Sequence, residues 1–258
     1  MATTLSSKKK FAPFHALDRR FYILFLALCW LGVIFGFYSA TSARLRGHAD
    51  YPAPLIMTLH ALLFSAWLAL VTTQIVLIRG KKLRLHKRLG KVGFVLIPLM
   101  VYSAVAAELY SQRFYIRRHD DDLHFFILPL FYAAAFGVLA TSVMVAARRD
   151  PAAHKRLILL ATTIIVGAAY ARWWGAAFTE RFGDQFWGMI VNTFAGTNLL
   201  LAIAVGYDLF TRGRPHRTFA IVIPLILLSE LLCSFVYHAQ WWMPVARQLI
   251  ELRPPLSP

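Results

Sequence analysis

Leu85-His86-Lys87-Arg88-Leu89-Gly90 closes the most basic stretch of the chain and opens a long apolar run. Its tetrapeptide His-Lys-Arg-Leu, at 86–89, returns at 154–157, again at the head of an apolar run. A second matched pair flanks it: Tyr51 and Tyr115 each stand nine residues before the histidine of a Leu-His step, His60 and His124. Four histidines thus begin four consecutive apolar segments. The pattern reads as two tandem helical hairpins, each bringing one histidine to either side of a membrane.

The composition supports a membrane setting. Of the 258 residues 59% are hydrophobic, and the mean hydropathy is +0.57; a soluble domain holds about 45–50% apolar residues. Apolar segments at 20–40, 54–79, 89–110, 124–147, 156–178, 186–210 and 218–243 each approach or exceed the ~20 residues that span a bilayer core. The expected fold is therefore all-α, an integral membrane bundle of seven transmembrane helices with a four-helix core. Residues 1–20 form a basic cytoplasmic tail, 21–243 the transmembrane domain with its core at 54–178, and 244–258 an exposed tail. The first apolar segment lacks a small-residue cleavage site before it and reads as a retained helix.

Charge fixes the expected orientation. Of the 28 Lys and Arg, 19 fall in the N-terminal tail and in alternate loops, namely those after the second, fourth and sixth segments. By the positive-inside rule the N-terminus is cytoplasmic and the C-terminus outside. The net charge of +16 then belongs to loops facing the bilayer and its anionic lipid, and those loops are too short to hold a nucleic-acid reading module. Cys29 and Cys233 both lie in apolar segments, which excludes a disulfide framework or thiolate metal cluster. Gly32 and Gly36 form a small-x-x-x-small pair suited to close helix contact.

Several polar residues interrupt the apolar segments. His60 lies six residues past Pro54, about 9 Å into its helix, and Gln74 follows fourteen residues later on nearly the same face. Arg172, Asn192, Asn198 and Glu230 complete the candidate buried polar set. Glu230 is thirteen residues beyond Arg217, about 20 Å along its helix. A carboxyl there must be paired, protonated or set in a polar cavity, and Arg172 is the expected partner.

Two imidazoles facing across a helical bundle suit axial ligation of haem, and one pair per leaflet makes an electron path. In this arrangement the chain resembles the ascorbate-reducible transmembrane cytochrome b family, whose four central helices each carry a histidine. The resemblance implies haem b held by His60 with His124 and by His86 with His154, with Lys87, Arg88, Lys155 and Arg156 pairing its propionates. It departs in depth, because His86 and His154 stand at helix starts and His60 to Arg79 already spans ~28 Å of helix. Residues 55–175 are also similar to an uncharacterised bacterial multi-pass membrane family, through His60, Gln74, Leu85 to Gly90, His154, Arg156-Leu157 and Arg172. That similarity implies the fold and a bacterial inner-membrane location, without an activity.

The expected function is a b-type haem-binding or redox protein moving electrons within or across the membrane; the sequence names neither a redox partner nor a quinone. Two other classes remain open. One is an outer-face, zinc-dependent lipid hydrolase using His60, His119, His124 and Asp120, with Asp122 or Asp120 as base and His238 as a further ligand. The other, without a cofactor, is a transporter or structural bundle lined by Arg172, Glu230, Asn192 and Asn198.

Overall fold

The computed structural model describes residues 11–49, 52–118 and 122–251. Among the described residues seven helices are long and apolar enough to cross a bilayer, and the architecture is that of an integral membrane protein. The spanning helices are α1 (Asp18–Leu45), α2 (Leu55–Arg79), α4 (Gly93–Ile116), α5 (Ile127–Arg149), α6 (Pro151–Phe182), α7 (Phe186–Arg212) and α8 (Arg217–Tyr237). Two short helices join them: α3 (Leu83–Gly90) precedes α4, and α9 (Trp242–Glu251) follows α8. Successive helices alternate in direction. One end of the bundle, here the basic end, therefore gathers residues near 18, 80–91, 150 and 208–217, and the far end gathers the other loops.

Local chemistry sets the boundaries. Asp150 caps α6, accepting from the Ala152 and Ala153 N–H groups at 3.0 and 2.9 Å, and Pro151 at the first helical position needs no donor. Gly213, at φ 69° in the left-handed region, ends α7, a conformation that costs glycine no Cβ clash. His216 begins α8 by accepting on Nδ1 from the Thr218 N–H at 3.2 Å.

Large apolar side chains such as Leu24, Phe94, Val138 and Phe235 stay exposed on the outside of the bundle. That is the surface expected of helices that meet lipid. The interior is organised around α6, which packs against α1, α5, α7 and α8. Its mean hydropathy of 1.5 is the lowest of the seven spans and its apolar window the most buried, because it meets protein where the others meet lipid. Tyr170 on α6 sits between two glycines: a Cβ on Gly32 of α1 would lie 2.5 Å from its ring, and one on Gly196 of α7 2.1 Å from its Cβ. Gly36 likewise lets α1 approach the Ala169 backbone. The glycine pair of α1 is thus a contact face, as its spacing predicts.

Helices α2, α4, α5 and α6 enclose the expected four-helix core. α2 packs on α4, α4 on α5 and α5 on α6, while the Trp67 Nε1–H donates to Thr162 Oγ1 at 3.2 Å to close the ring between α2 and α6. Two expected boundaries change. His86 lies in the first turns of the third span, which runs from Leu83 to Ile116 and is broken by a turn at Lys91-Val92 into α3 and α4, while Lys81, at φ 57°, turns the chain between α2 and α3. The seventh span ends at Tyr237, short of 243. The stretch beyond 244, expected as exposed tail, continues as α9 through Glu251, with Trp242, Ala246 and Ile250 buried against Leu109, Leu123 and Phe126.

Candidate functional site

Histidine layers of the four-helix core

The inner face of α2 carries His60, Phe64, Trp67, Val71 and Gln74, a spacing of three and four that keeps one side turned inward. Near the basic end the Gln74 Nε2–H donates to the His86 carbonyl at 3.2 Å, which holds α3 against α2. His86 and His154 are close enough to act on each other electrostatically. The His154 Nδ1 lies 3.0 Å from the Val143 carbonyl, and a hydrogen there fixes the tautomer that leaves Nε2 free as a ligand. The His86 Nδ1 is buried and has no protein partner.

His60 lies toward the far end, with its ring 4.2 Å from Phe64 and within electrostatic reach of Arg172. His124 opens the 3-10 turn ahead of α5 and faces Tyr237 of α8 at 5.7 Å. Both Nδ1 atoms are buried and unpartnered, but the two rings lean on different neighbours, so no direct ring contact joins this pair among the described residues. Between the layers Phe64 approaches Phe136 at 6.4 Å, and Trp67 meets it edge-on at 4.9 Å. Gln74 sets His86 level with a point fourteen residues from His60, so the layers are about 21 Å apart along α2. That is about one helical turn closer than the span from His60 to Arg79.

The charged network at the basic end

The two copies of His-Lys-Arg-Leu have different fates. Lys87 and Arg88 are exposed. Arg156 is 1% exposed and locked by Asp208 of α7, to which Nε donates at 2.7 Å and Nη2 at 2.5 Å. Lys155 pairs with Asp18 at 2.7 Å. Arg212 bridges both carboxylates, at 2.8 Å to Asp18 and 3.5 Å to Asp208, and Tyr207 donates to Asp18. Phe11 lies over the Arg156 and Arg212 guanidiniums at 4.5 and 5.5 Å and meets the His216 ring at 4.7 Å. Lys155 and Arg156, expected to face haem propionates, are therefore engaged by protein carboxylates. Lys87 and Arg88 keep that availability.

Outside the spans, His216 is held below the usual histidine range by burial and then by the nearby Arg156 charge. The Asp150 carboxyl is also held low, first by the Ala153 N–H and further by Arg217, whose Nη2 lies 3.0 Å away.

Asp18 and Asp208 are missing from the residues singled out in the sequence. Asp208 carried the same signal as Glu230, a lone carboxylate near an apolar segment, and it stands four residues before Arg212 on one helix face.

Polar residues toward the far end

Arg172 does not pair with Glu230. Its guanidinium donates to the Ala168 carbonyl at 3.0 Å and lies 5.0 Å over Phe37, because the side chain turns toward α1 while Glu230 faces α7. Glu230, 2% exposed, instead accepts from the Asn198 Nδ2–H at 2.9 Å. Asn192 donates to Thr179 Oγ1 at 2.9 Å and also accepts from Thr193, so it closes α6 on α7. His238 is taken up by the Ser234 and Asp184 carbonyls at 2.8 and 3.0 Å. Asp122 accepts from the His124 N–H at 3.0 Å as a cap.

Of the alternative zinc set, His119 and Asp120 lie outside the described residues, and the His60 and His124 rings contact different neighbours. Among the described residues no three His, Cys, Asp or Glu side chains cluster as a metal site. The class defined here is a seven-helix integral membrane bundle with a buried charged network at its basic end. Comparison with family models, curated proteins and solved structures finds no match.

Proposed function

We propose that the chain is a b-type haem-binding redox protein of a bacterial inner membrane, carrying electrons within or across the bilayer. The observation that carries this reading is the inner histidine layer. His86 of α3 and His154 of α6 lie within electrostatic reach of each other, His154 with Nδ1 anchored to a carbonyl and His86 with a buried nitrogen that lacks a partner. Buried polar atoms are normally satisfied, so an orphaned imidazole nitrogen fits a group bound beside it. Haem b would supply a one-electron couple at this layer. Lys87 and Arg88 stand where its propionates would seek cations, and anionic lipid competes for the same charges.

His60 and His124 extend the reading to a second layer, each with an unpartnered buried Nδ1. Phe64, Phe136 and Trp67 fill the space between the layers with aromatic rings. The hydrolase reading draws less support, since among the described residues no three His, Cys, Asp or Glu side chains cluster.

The test is the reduced-minus-oxidised visible spectrum of detergent-purified protein from cells supplied with a haem precursor. Sharp low-spin bands are expected, diminished in both H86A and H154A. A colourless wild-type protein under these conditions overturns the proposal.

A further inference from the structure

Glu230 and Asn198 present a donor count that does not close. The Asn198 Nδ2–H donates to Glu230 Oε2 at 2.9 Å, joining the two side chains. The other oxygen of each, Glu230 Oε1 and Asn198 Oδ1, is buried and has no partner. Both are acceptors, so neither satisfies the other while Glu230 is ionised. A single proton on Oε1 changes this. An O–H there is a donor that Oδ1 can accept, and with the existing N–H···O bond it would close a two-bond acid–amide ring that leaves no orphan.

Among the described residues no hydrogen bond reaches either orphaned oxygen. From α5, Tyr132 feels the Glu230 charge, but its hydroxyl is turned to the Thr193 carbonyl at 3.4 Å. From α6, the Arg172 guanidinium is bound to the Ala168 carbonyl and Phe37. α7 contributes Asn198 itself, and on α8 the nearest titratable neighbour is Cys233. Among the described residues no cation lies within ion-pair distance of Glu230. An ionised carboxylate buried without a cation shifts toward its neutral form instead.

We propose that Glu230 and Asn198 form a proton-binding site inside the far half of the bundle, with one proton held between Glu230 Oε1 and Asn198 Oδ1. The ligand is a proton from the aqueous phase, taken up without a redox step. The next polar groups toward the far end are on the same helix: Ser234 one turn on, then Tyr237 and His238, whose rings lie 5.0 Å apart. Tyr237 is also the neighbour of His124, and His238 reaches the Asp184 carbonyl in the α6–α7 loop. Proton exchange with the far surface follows this side of α8. The site is independent of haem and stands whether or not the protein is coloured.

Infrared difference spectroscopy on membrane-reconstituted protein at neutral pH tests it. Wild-type protein is expected to show a protonated-carboxyl C=O band that shifts in D2O and is lost in E230Q, whose amide preserves the pairing with Asn198. In N198L the band remains and moves to higher frequency, because its acceptor is gone; this variant reads the site even if E230Q folds poorly. The proposal is overturned if E230Q removes an ionised carboxylate band instead, or if N198L leaves the acid band in place. A Glu230 carboxylate band that responds to sodium or potassium assigns the two oxygens to a metal cation and likewise overturns it.

Discussion

Replacing Asp208 by alanine strands the most deeply buried cation among the described residues. Arg156, at 1% exposure, donates to Asp208 through Nε and Nη2, and its remaining protein bond is from Nη1 to the Ala152 carbonyl at 2.8 Å. The same carboxylate accepts the His216 backbone N–H at 3.1 Å and lies 3.5 Å from Arg212. Removing one partner of a buried pair costs about 3–5 kcal/mol, because the other charge remains without compensation. D208A is therefore expected to lose about that much. Arg212 retains Asp18 and limits the damage to one cation. R156M with D208L removes both charges and should recover most of the loss, save for the His216 N–H left unsatisfied, about 1–3 kcal/mol. The assay is denaturant unfolding in bicelles followed by tryptophan fluorescence, run as a double-mutant cycle with the exposed R88A as reference. If D208A falls within about 0.5 kcal/mol of R88A, the variation usual for surface changes, the network does not hold the basic end together.

Two further predictions concern helix contact and pH. G36A and G196A each force a Cβ against α6, at 2.2 Å from the Ala169 carbonyl oxygen and 2.1 Å from the Tyr170 Cβ, and should destabilise by about 1–3 kcal/mol through overpacking; G206A, whose Cβ meets nothing within 4 Å, is the control, and equal melting temperatures for all three would contradict the clasp. D150A should lower stability by about 1 kcal/mol at neutral pH by removing the α6 cap. Since the Asp150 carboxyl is held below its unfolded value of about 3.9, its contribution is complete above that pH and fades as pH falls through the lower folded value. The gap between wild type and D150A must therefore narrow below about pH 4, and a gap that stays constant down to pH 2 contradicts the capping role.

The seven spans were legible because a bilayer demands long apolar runs, a signal that needs no knowledge of partners. The break that makes α3 a helix apart from α4 was not. The eight residues of α3 are too polar to span and too short to register as a helix beside the 89–110 run, and only Lys81's left-handed turn separates it from α2. The histidine pattern was visible as repetition, but repetition does not determine surroundings. Arg88 and Arg156 occupy the same place in the same tetrapeptide, one exposed and one sealed. The difference is made by Asp208, 52 residues from Arg156. Glu230 was legible as a buried carboxyl for the same reason that Asp208 should have been. Its partner was not, because the sequence does not carry the packing that turns Arg172 to Phe37 of α1 and Glu230 to Asn198 of α7.

The ion pair across α6 and α7 also bears on how the chain is made. Arg156 emerges from the ribosome before Asp208, and in the interval only α1 through α5 are present to receive α6. None of the carboxylates supplied by those helices holds Arg156; Asp18 takes Lys155 and Arg212. The least apolar span of the protein thus waits, with an unneutralised guanidinium, for its successor to be synthesised. Helices α6 and α7 settle as a pair, and a ribosome stalled before residue 208 leaves α6 at the membrane without the carboxylate that seals it.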